Sequence, residues 1–351
     1  MSNLIIGKQI INSQNKPFII AEISGNHKKS LKRALRLVDL AASSGANAIK
    51  LQTFDPNKVT LKIRSKEFQI LDTNSKWNKK YLYDLFLEAY TPWEWHKEIF
   101  QKAKDKKLEF FSTPFHEEAV DFLEKLNVPC YKISSFENNH IPLIEYVSKT
   151  KKPIIISTGL AKKSEIFECV NAIKKHNNKQ FALLKCISSY PASPNSFNLK
   201  TIIDMQKTFD CHIGLSDHTI TSSTACVAVA MGSRLIEKHI TLSSDDGAID
   251  SFFSADKNNF KSYIQDINNS YSSLGKIFYG PTKQELSYLQ ERRSIYVVKN
   301  IKKNEKFTRE NIAVIRPSYG IKPRFLKKII GKKSKKNLKF GQKLKNGYIY
   351  K

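Results

Sequence analysis

Polar side chains stand at the ends of several short apolar runs in this sequence, where they could meet and do chemistry. Glu22 ends the run FIIAE, His218 follows HIGLSD, and His239 ends LIEKH. A carboxylate can transfer protons, and two imidazoles that face one another can hold one divalent ion. Two histidines alone are a weak signal, because each could instead satisfy a buried hydrogen bond. These three residues are the candidate catalytic and metal-binding groups.

Lysine and hydroxyl side chains end or follow other apolar runs. One lysine at a strand end usually keeps its ammonium in water, but lysines at positions 50, 132, 185 and 238 together favour a shared cleft. Ammonium and hydroxyl groups in a partly desolvated cleft bind phosphate and carboxylate groups. The sequence therefore predicts a small phosphorylated acid as ligand. The side chains so placed include Lys50, Thr113, Lys132, Ser135, Ser157, Ser188 and Ser216.

Eight apolar runs must position these side chains. They cover residues 18–23, 48–52, 108–112, 130–134, 154–157, 181–186, 212–216 and 234–239. Most segments between them have helical periodicity, such as the one from Ser30 to Gly45. This alternation favours a closed (β/α)8 barrel, or TIM barrel, over a doubly wound open sheet. No glycine-rich nucleotide loop follows the first run, which also disfavours the open sheet.

Two further segments carry local predictions about the barrel mouth. Thr91-Pro92-Trp93-Glu94 predicts a helix that runs to about Lys106, with Thr91 as its cap and Glu94 completing a capping box. Residues 53–80 are polar with few periodic apolar positions, which indicates an extended loop. Loops of this kind often cover active sites.

The domain organisation follows from a change in composition after residue 280. We expect residues 1–280 to form the barrel domain, with 1–16 as an N-terminal extension, 281–291 as a linker and 292–351 as a small β-rich module. The module holds 20 Lys/Arg and 2 Asp/Glu, so it carries +18 of the net +27. That charge raises a nucleic-acid-binding alternative, but the module has no zinc, helix-turn-helix or RNP motif.

The cellular environment is also predicted by the sequence. The N-terminus lacks a signal-peptide pattern, and no run approaches the length of a membrane span. The five cysteines are widely spaced and mostly lie in apolar runs, which is typical of buried free thiols. We expect a cytoplasmic protein that binds neither membrane nor nucleic acid.

Several motifs in order along the chain resemble the sialic acid synthase family, whose members condense phosphoenolpyruvate with a sugar aldehyde to make nine-carbon nonulosonic acids. The similarity covers essentially the whole chain. YTPWEWH, KISSFE and LLKCISSYPA are most similar to the pseudaminic acid synthase branch, with N-acetylneuraminate and legionaminate synthases as alternatives. The other matching motifs are AEISGNH, AIKLQTF, FFSTPF, IISTG, GLSDHT, IEKHIT, RRSIYV and IRPSYG.

The resemblance implies a TIM barrel joined to a C-terminal antifreeze-like (SAF) domain in a domain-swapped homodimer. It implies that His218 and His239 hold a divalent ion, Mn2+ or else Mg2+ or Co2+, and that Glu22 is the acid–base residue. Phosphoenolpyruvate would be bound by Lys50, Thr113, Lys132, Ser135, Ser157, Ser188 and Ser216. The amino sugar, in this branch 2,4-diacetamido-2,4,6-trideoxy-altrose, would contact Gln52, Tyr190, Asp250 and the partner's Arg316.

Two positions depart from the family pattern, and one other enzyme class stays open. GAIDSFFS at 247–254 lacks the proline that commonly precedes the acidic residue, here Asp250. Ser188 stands where neuraminate-type relatives place an Asn that contacts phosphoenolpyruvate. A Schiff-base aldolase that uses Lys132 or Lys185 would also suit a barrel with lysines at its strand ends.

Overall fold

Parallel strands close into an eight-stranded barrel in the computed structural model, which describes residues 3–73 and 75–350. An antiparallel hairpin of β1 (Leu4–Ile6) and β2 (Gln9–Ile11) precedes the barrel. The barrel strands follow in chain order, and the last of them pairs with the first. They are β3 (Phe18–Glu22), β4 (Ala48–Thr53), β5 (Glu109–Pro114), β6 (Tyr131–Ile133), β7 (Ile154–Ser157), β8 (Phe181–Cys186), β9 (His212–Asp217) and β10 (Leu235–His239).

Helices connect the barrel strands. The first shows why the chain folds this way: the Ser30 hydroxyl accepts from the Arg33 amide at the start, and Gly45, at φ 94°, ends the helix in a left-handed conformation. The helices of this unit are α1 (Leu31–Ser44), α2 (Pro56–Val59), α3 (Leu82–Ala89), α4 (His96–Asp105), α5 (Glu117–Lys125), α6 (Ile141–Lys149), α7 (Lys163–Lys175), α8 (Thr201–Phe209), α9 (Ser223–Ala230) and α10 (Lys257–Leu274).

The barrel strands are buried nearly end to end, as parallel strands covered by helices must be. Their side chains form one continuous hydrophobic core with the inner faces of the helices. The predicted (β/α)8 barrel is thus confirmed, and the open doubly wound sheet is excluded. Within the described ranges, no helix combines the length and apolarity that crossing a membrane requires.

A second compact unit, Lys276–Lys351, follows the first unit, Met1–Gly275. It contains the antiparallel pair β11 (Ser294–Val297) and β12 (Ile312–Ile315) and the short helix α11 (Leu326–Ile329). It has its own small core, which includes Ile295 and Phe307.

The helix start predicted at Thr91 is placed differently by the structure. A 3-10 turn, Trp93–Trp95, precedes α4. Pro92 occupies the N-cap position of this turn, and its side chain makes no capping hydrogen bond. The Thr91 hydroxyl lies 3.2 Å from Nε2 of His27 instead. The predicted capping box is therefore wrong, because a buried imidazole takes the hydroxyl.

The 53–80 segment is also less uniform than predicted, since it contains α2 and a 3-10 turn, Lys66–Phe68.

One glycine tests how tightly the barrel is packed. A Cβ added at Gly214 in β9 would stand 2.4 Å from the Leu235 carbonyl oxygen and 2.5 Å from Leu184 Cδ2. Because a backbone atom cannot move aside cheaply, we expect Gly214→Ala to lower the free energy of unfolding by about 1–3 kcal/mol. Urea titration would measure this. Gly347→Ala, where an added Cβ meets no atom, is the control. Equal stabilities of the two variants would contradict the tight packing.

Candidate active site

A cavity of about 900 Å³ gathers polar residues from the C-terminal ends of the barrel strands. It brings together most of the side chains singled out in the sequence: Lys50, Gln52, Lys132, Ser135, Ser157, Ser188, Tyr190, Ser216, His218, His239 and Asp250. Glu22 and Thr113 do not line it but are buried and contact Lys50. Arg316 lies in the second unit, just after β12.

Strand alternation decides which lysines reach the cavity. Glu237 and His239 line it, so Lys238 between them projects to the other side of β10. There its ammonium lies 5.5 Å from the ring of Tyr263 on α10. Lys185 precedes the cavity residue Cys186 on β8 and is likewise outside the lining. The expectation that all four strand-end lysines share one cleft is therefore wrong for Lys185 and Lys238.

Two lysines and two glutamates form a charged floor inside the barrel, defined by Glu22, Lys50, Lys132 and Glu237. Lys50 forms an ion pair with Glu22, and its ammonium lies 3.9 Å from Glu237 Oε2. The Lys132 ammonium is 3.7 Å from Glu237 Oε1. All four side chains are buried, so each charge depends on the others for stabilisation.

Hydroxyl groups complete the floor. Lys132 donates to Ser157 Oγ at 2.7 Å, and Lys50 donates to Thr113 Oγ1 at 3.2 Å. Ser216 donates to Glu237 Oε1 at 3.1 Å. Ser157 and Thr113 accept from the lysines and so keep their own O–H groups as donors, whereas the O–H of Ser216 is taken by Glu237.

The two floor carboxylates have different proton affinities. Burial raises the pKa of Glu22 to about 7, although Lys50 opposes the shift. Burial also acts to raise the pKa of Glu237, but Lys132 and Lys50 outweigh it and hold that pKa below its usual value. Glu22 can therefore take up and release a proton near neutral pH, whereas Glu237 stays charged.

The two candidate metal ligands are neighbours. The rings of His218 and His239 have centroids 5.4 Å apart. Nδ1 of His218 lies 2.8 Å from the carbonyl oxygen of Ile187, and because a carbonyl can only accept, Nδ1 carries a proton and Nε2 is the atom left to bind a metal. Burial acts to lower the pKa of His218, but Cys186 and the Ile187 carbonyl outweigh it and raise that pKa, so a metal would compete with a proton for Nε2. Nδ1 of His239 is buried and has no hydrogen-bond partner among the described residues. Burial holds the pKa of His239 well below its usual range, so this imidazole is neutral and able to bind a metal.

This donor set fits a divalent ion that keeps open positions for ligands. Among residues 3–73 and 75–350, no group of three or more His, Cys, Asp or Glu side chains is arranged to hold a metal. Two imidazoles alone would leave most coordination positions to water and substrate oxygens.

Aromatic rings cover the histidine pair. The Phe253 ring lies 4.8 Å from that of His239 and 5.8 Å from that of His218, and the Tyr190 ring is 4.4 Å from His218. Trp77 joins this cluster from the 53–80 segment, 5.4 Å from Tyr190. Such rings limit the access of bulk water to the imidazoles.

Comparison with known proteins identifies the family. The NeuB family model matches residues 37–279, and the SAF domain model matches residues 292–346. The chain belongs to the NeuB family. The resemblance seen in the motifs is thereby confirmed, and the barrel is followed by a SAF domain.

Individual NeuB relatives span nearly the whole chain. A pseudaminic acid synthase from Campylobacter jejuni is 40% identical and covers 96% of this chain and 97% of its own. One from Helicobacter pylori is 39% identical, with 92% and 95% covered. The crystal structure of N-acetylneuraminic acid synthetase from Leptospira borgpetersenii, in complex with citrate, has a TM-score of 0.71 at 29% identity and covers 82% of this chain and 95% of its own.

The 247–254 segment, which departs from the NeuB pattern, still holds its acidic residue at the cavity. Asp250 is buried, accepts a hydrogen bond from Ser24, and has a carboxylate oxygen 3.8 Å from Nδ1 of His239. Its amide donates to Asn26 Oδ1 at 3.1 Å. The missing proline therefore leaves the carboxylate fixed by contacts with the 24–26 turn.

The cavity residues to which the sequence analysis assigns no role include Trp77, Glu237 and Phe253. Glu237 could be found from the sequence, because it stands two residues before His239 and so shares its face of the strand. Trp77 and Phe253 lie in connecting segments, where no periodicity indicates what a side chain faces.

Trp77 ties the 53–80 segment to the 247–254 segment. Its indole N–H donates to the Ile249 carbonyl at 3.0 Å, and its ring contacts Tyr190, Phe252 and Phe253. A hydrogen bond and an aromatic contact together contribute about 2 kcal/mol, so Trp77→Ala should speed amide exchange in residues 61–73 and 75–80 by about 30-fold. Hydrogen-exchange mass spectrometry would measure this. Trp77→Phe, which keeps a ring, should have a smaller effect. Unchanged exchange in Trp77→Ala would show that the segment is held elsewhere.

Proposed function

We propose that this chain is a pseudaminic acid synthase. It condenses phosphoenolpyruvate with 2,4-diacetamido-2,4,6-trideoxy-altrose and water to give a nine-carbon nonulosonic acid and phosphate. The observation that carries the proposal is the single cavity that joins the charged floor to the histidine pair. The two pseudaminic acid synthases that span almost the full chain support the choice of branch.

The floor lysines and hydroxyls bind phosphoenolpyruvate. Lys50 and Lys132 provide charge, and the hydroxyls of Ser135, Ser157, Ser188 and Ser216 face the phosphate and carboxylate. Thr113 does not line the cavity and acts through its hydrogen bond with Lys50. The two ammonium groups now face the two carboxylates of Glu22 and Glu237, so a bound anion would compete with these carboxylates for the lysines. Protonation of Glu22, whose pKa is about 7, would reduce repulsion between this carboxyl group and the incoming anion.

A divalent ion held by His218 and His239, which we propose to be Mn2+ with Mg2+ or Co2+ as alternatives, would polarise the sugar aldehyde as a Lewis acid. His218 is kept in the correct tautomer by the Ile187 carbonyl. Phe253 packs on both imidazoles and limits their movement. Gln52, Tyr190 and Asp250 line the same cavity and are placed to orient the sugar.

The reaction then proceeds through named atoms. C3 of phosphoenolpyruvate forms a bond to the aldehyde carbon, whose oxygen takes the proton held by Glu22 and becomes a hydroxyl. Water adds at C2, and the bond between C2 and the bridging oxygen breaks, so phosphate leaves with that oxygen. The new C2 hydroxyl gives its remaining proton to the phosphate as the C2 carbonyl forms. Glu22 takes the proton from water, since its pKa of about 7 suits proton transfer near neutral pH. Lys50 and Lys132 offset the charge that develops on the departing phosphate.

Removal of the ion or one histidine should abolish turnover. Phosphate release from phosphoenolpyruvate should require both the amino sugar and a divalent ion, and chelator should stop it. His239→Ala should lower kcat by roughly 1,000-fold, because Lewis-acid polarisation contributes several kcal/mol to the transition state. A coupled phosphate assay would measure this.

The matched control for that variant is His140→Ala, since His140 is exposed. It should keep full activity. Metal-independent turnover, or full activity in His239→Ala, would disprove the metal role. Trapping of substrate on Lys132 by borohydride would favour the Schiff-base aldolase instead.

We also propose a cytoplasmic homodimer in which the SAF domain of one subunit covers the barrel of the other. The support is the resemblance to the family, together with free cysteines, which suit a reducing compartment. In this dimer Arg316 would contact the sugar bound in the partner's barrel.

Mixing two inactive variants would test the exchange of domains. His239→Ala disables the barrel, and Arg316→Ala disables the SAF domain. A mixed dimer would therefore retain one intact site, formed by the barrel of one variant and the SAF domain of the other. After dissociation and random reassociation, an equimolar mixture should regain about one quarter of wild-type activity. Steady-state assays of the mixture and of each variant alone would show this. If the mixture is no more active than its parts, each site is formed by one chain.

A further inference from the structure

Helix α3 presents an apolar stripe to the cavity instead of to the core. Leu82, Leu85, Phe86 and Ala89 follow the spacing i, i+3, i+4 and i+7, which places them on one face of the helix. All four line the cavity. None of the eight residues of α3 is buried. An amphipathic helix normally buries its apolar stripe, so this one is only partly covered by the protein.

Other apolar side chains continue the stripe into a wall. Val59 and Ile70 come from the same connecting segment as α3, and Phe115 and Phe136 come from the next two strand–helix connections. We call these four residues and the α3 stripe the apolar wall. Phe86 and Phe115 both contact the buried ring of Phe54, at centroid distances of 5.5 and 4.8 Å. This contact fixes part of the wall in place.

The cavity therefore has two chemically different parts. The charged floor is built on barrel strands, whereas the apolar wall is built on segments that follow strand ends. Phosphoenolpyruvate is small and carries two anionic groups, a phosphate and a carboxylate, so it would not cover an apolar surface of this extent. Of the two substrates, the sugar is therefore the one that could cover it.

We infer that the apolar wall selects a sugar that carries a methyl group at C6 and makes contact with that group. This inference rests on the proposed function. When C1 of the open-chain aldehyde lies at the histidine pair, C6 is the carbon farthest from that pair. C6 therefore extends away from the strand ends and toward the connecting segments. A methyl group there would cover apolar surface, whereas a hydroxyl would lose water without gaining a hydrogen-bond partner from the stripe.

Two sugars and two variants test the inference. The sugars are 2,4-diacetamido-2,4,6-trideoxy-altrose and the same sugar with a C6 hydroxyl. Wild type should prefer the methyl sugar in kcat/KM by about 100-fold. Leu85→Gln should reduce this preference about tenfold, mainly by lowering kcat/KM for the methyl sugar, with KM for phosphoenolpyruvate unchanged. The matched control is Leu87→Gln, since Leu87 is on the same helix, is 41% exposed and does not line the cavity.

The outcomes separate the inference from the function on which it rests. Turnover of both sugars at equal kcat/KM by wild type would overturn the inference alone, and so would an unchanged preference in Leu85→Gln. Absence of turnover with every amino-sugar aldehyde would overturn the function. Leu82→Gln, on the same stripe, should repeat the effect, and urea titration checks that each variant is folded. A changed oligomeric state in Leu85→Gln, with preference intact, would show that the wall receives another chain and would also overturn the inference.

Discussion

Burial of four charges beside one another inside the barrel is the constraint on which the site depends. An isolated charge in such a place would be costly, and loss of one partner would leave another uncompensated. The four charged residues come from four strands. Glu237, Glu22 and Lys50 lie on the neighbouring strands β10, β3 and β4, and Lys132 lies on β6 across the barrel. The register of these strands must therefore be fixed if the charges are to meet. The same arrangement separates the pKa values of the two carboxylates, so a structural requirement also produces a group suited to proton transfer.

The histidine pair shows how the surroundings turn ordinary residues into ligands. A carbonyl on a neighbouring connection fixes the tautomer of His218, and burial keeps His239 neutral. Aromatic rings from separate segments then limit access by water. None of these influences comes from the strand that carries the histidine. The properties of the site arise from tertiary contacts around residues whose positions the barrel sets.

Much of the fold could be predicted from the sequence because buried parallel strands leave a strong local signal. All eight strands lie where the apolar runs indicate, and Ser30 and Gly45 bound α1 as expected. The site was harder to predict where the face of the strand from which a side chain projects decides whether it reaches the cavity. Lys238 projects away from the cavity because Glu237 and His239 project into it, a consequence of alternation that strand position alone does not reveal. Thr91 failed as a cap because His27, distant in sequence, takes its hydroxyl. Trp77 acts through contacts that no local pattern encodes.

The placement of the apolar wall outside the strands has a consequence for how such enzymes diversify. Most of its residues belong to the connection between β4 and β5, which can change in length or sequence without moving the strands that hold the charged floor. Substitutions there would alter which sugar is accepted while the bond-forming groups stay in register. Evolution could thus exchange substrates one connection at a time, with the carbon–carbon bond-forming chemistry inherited intact.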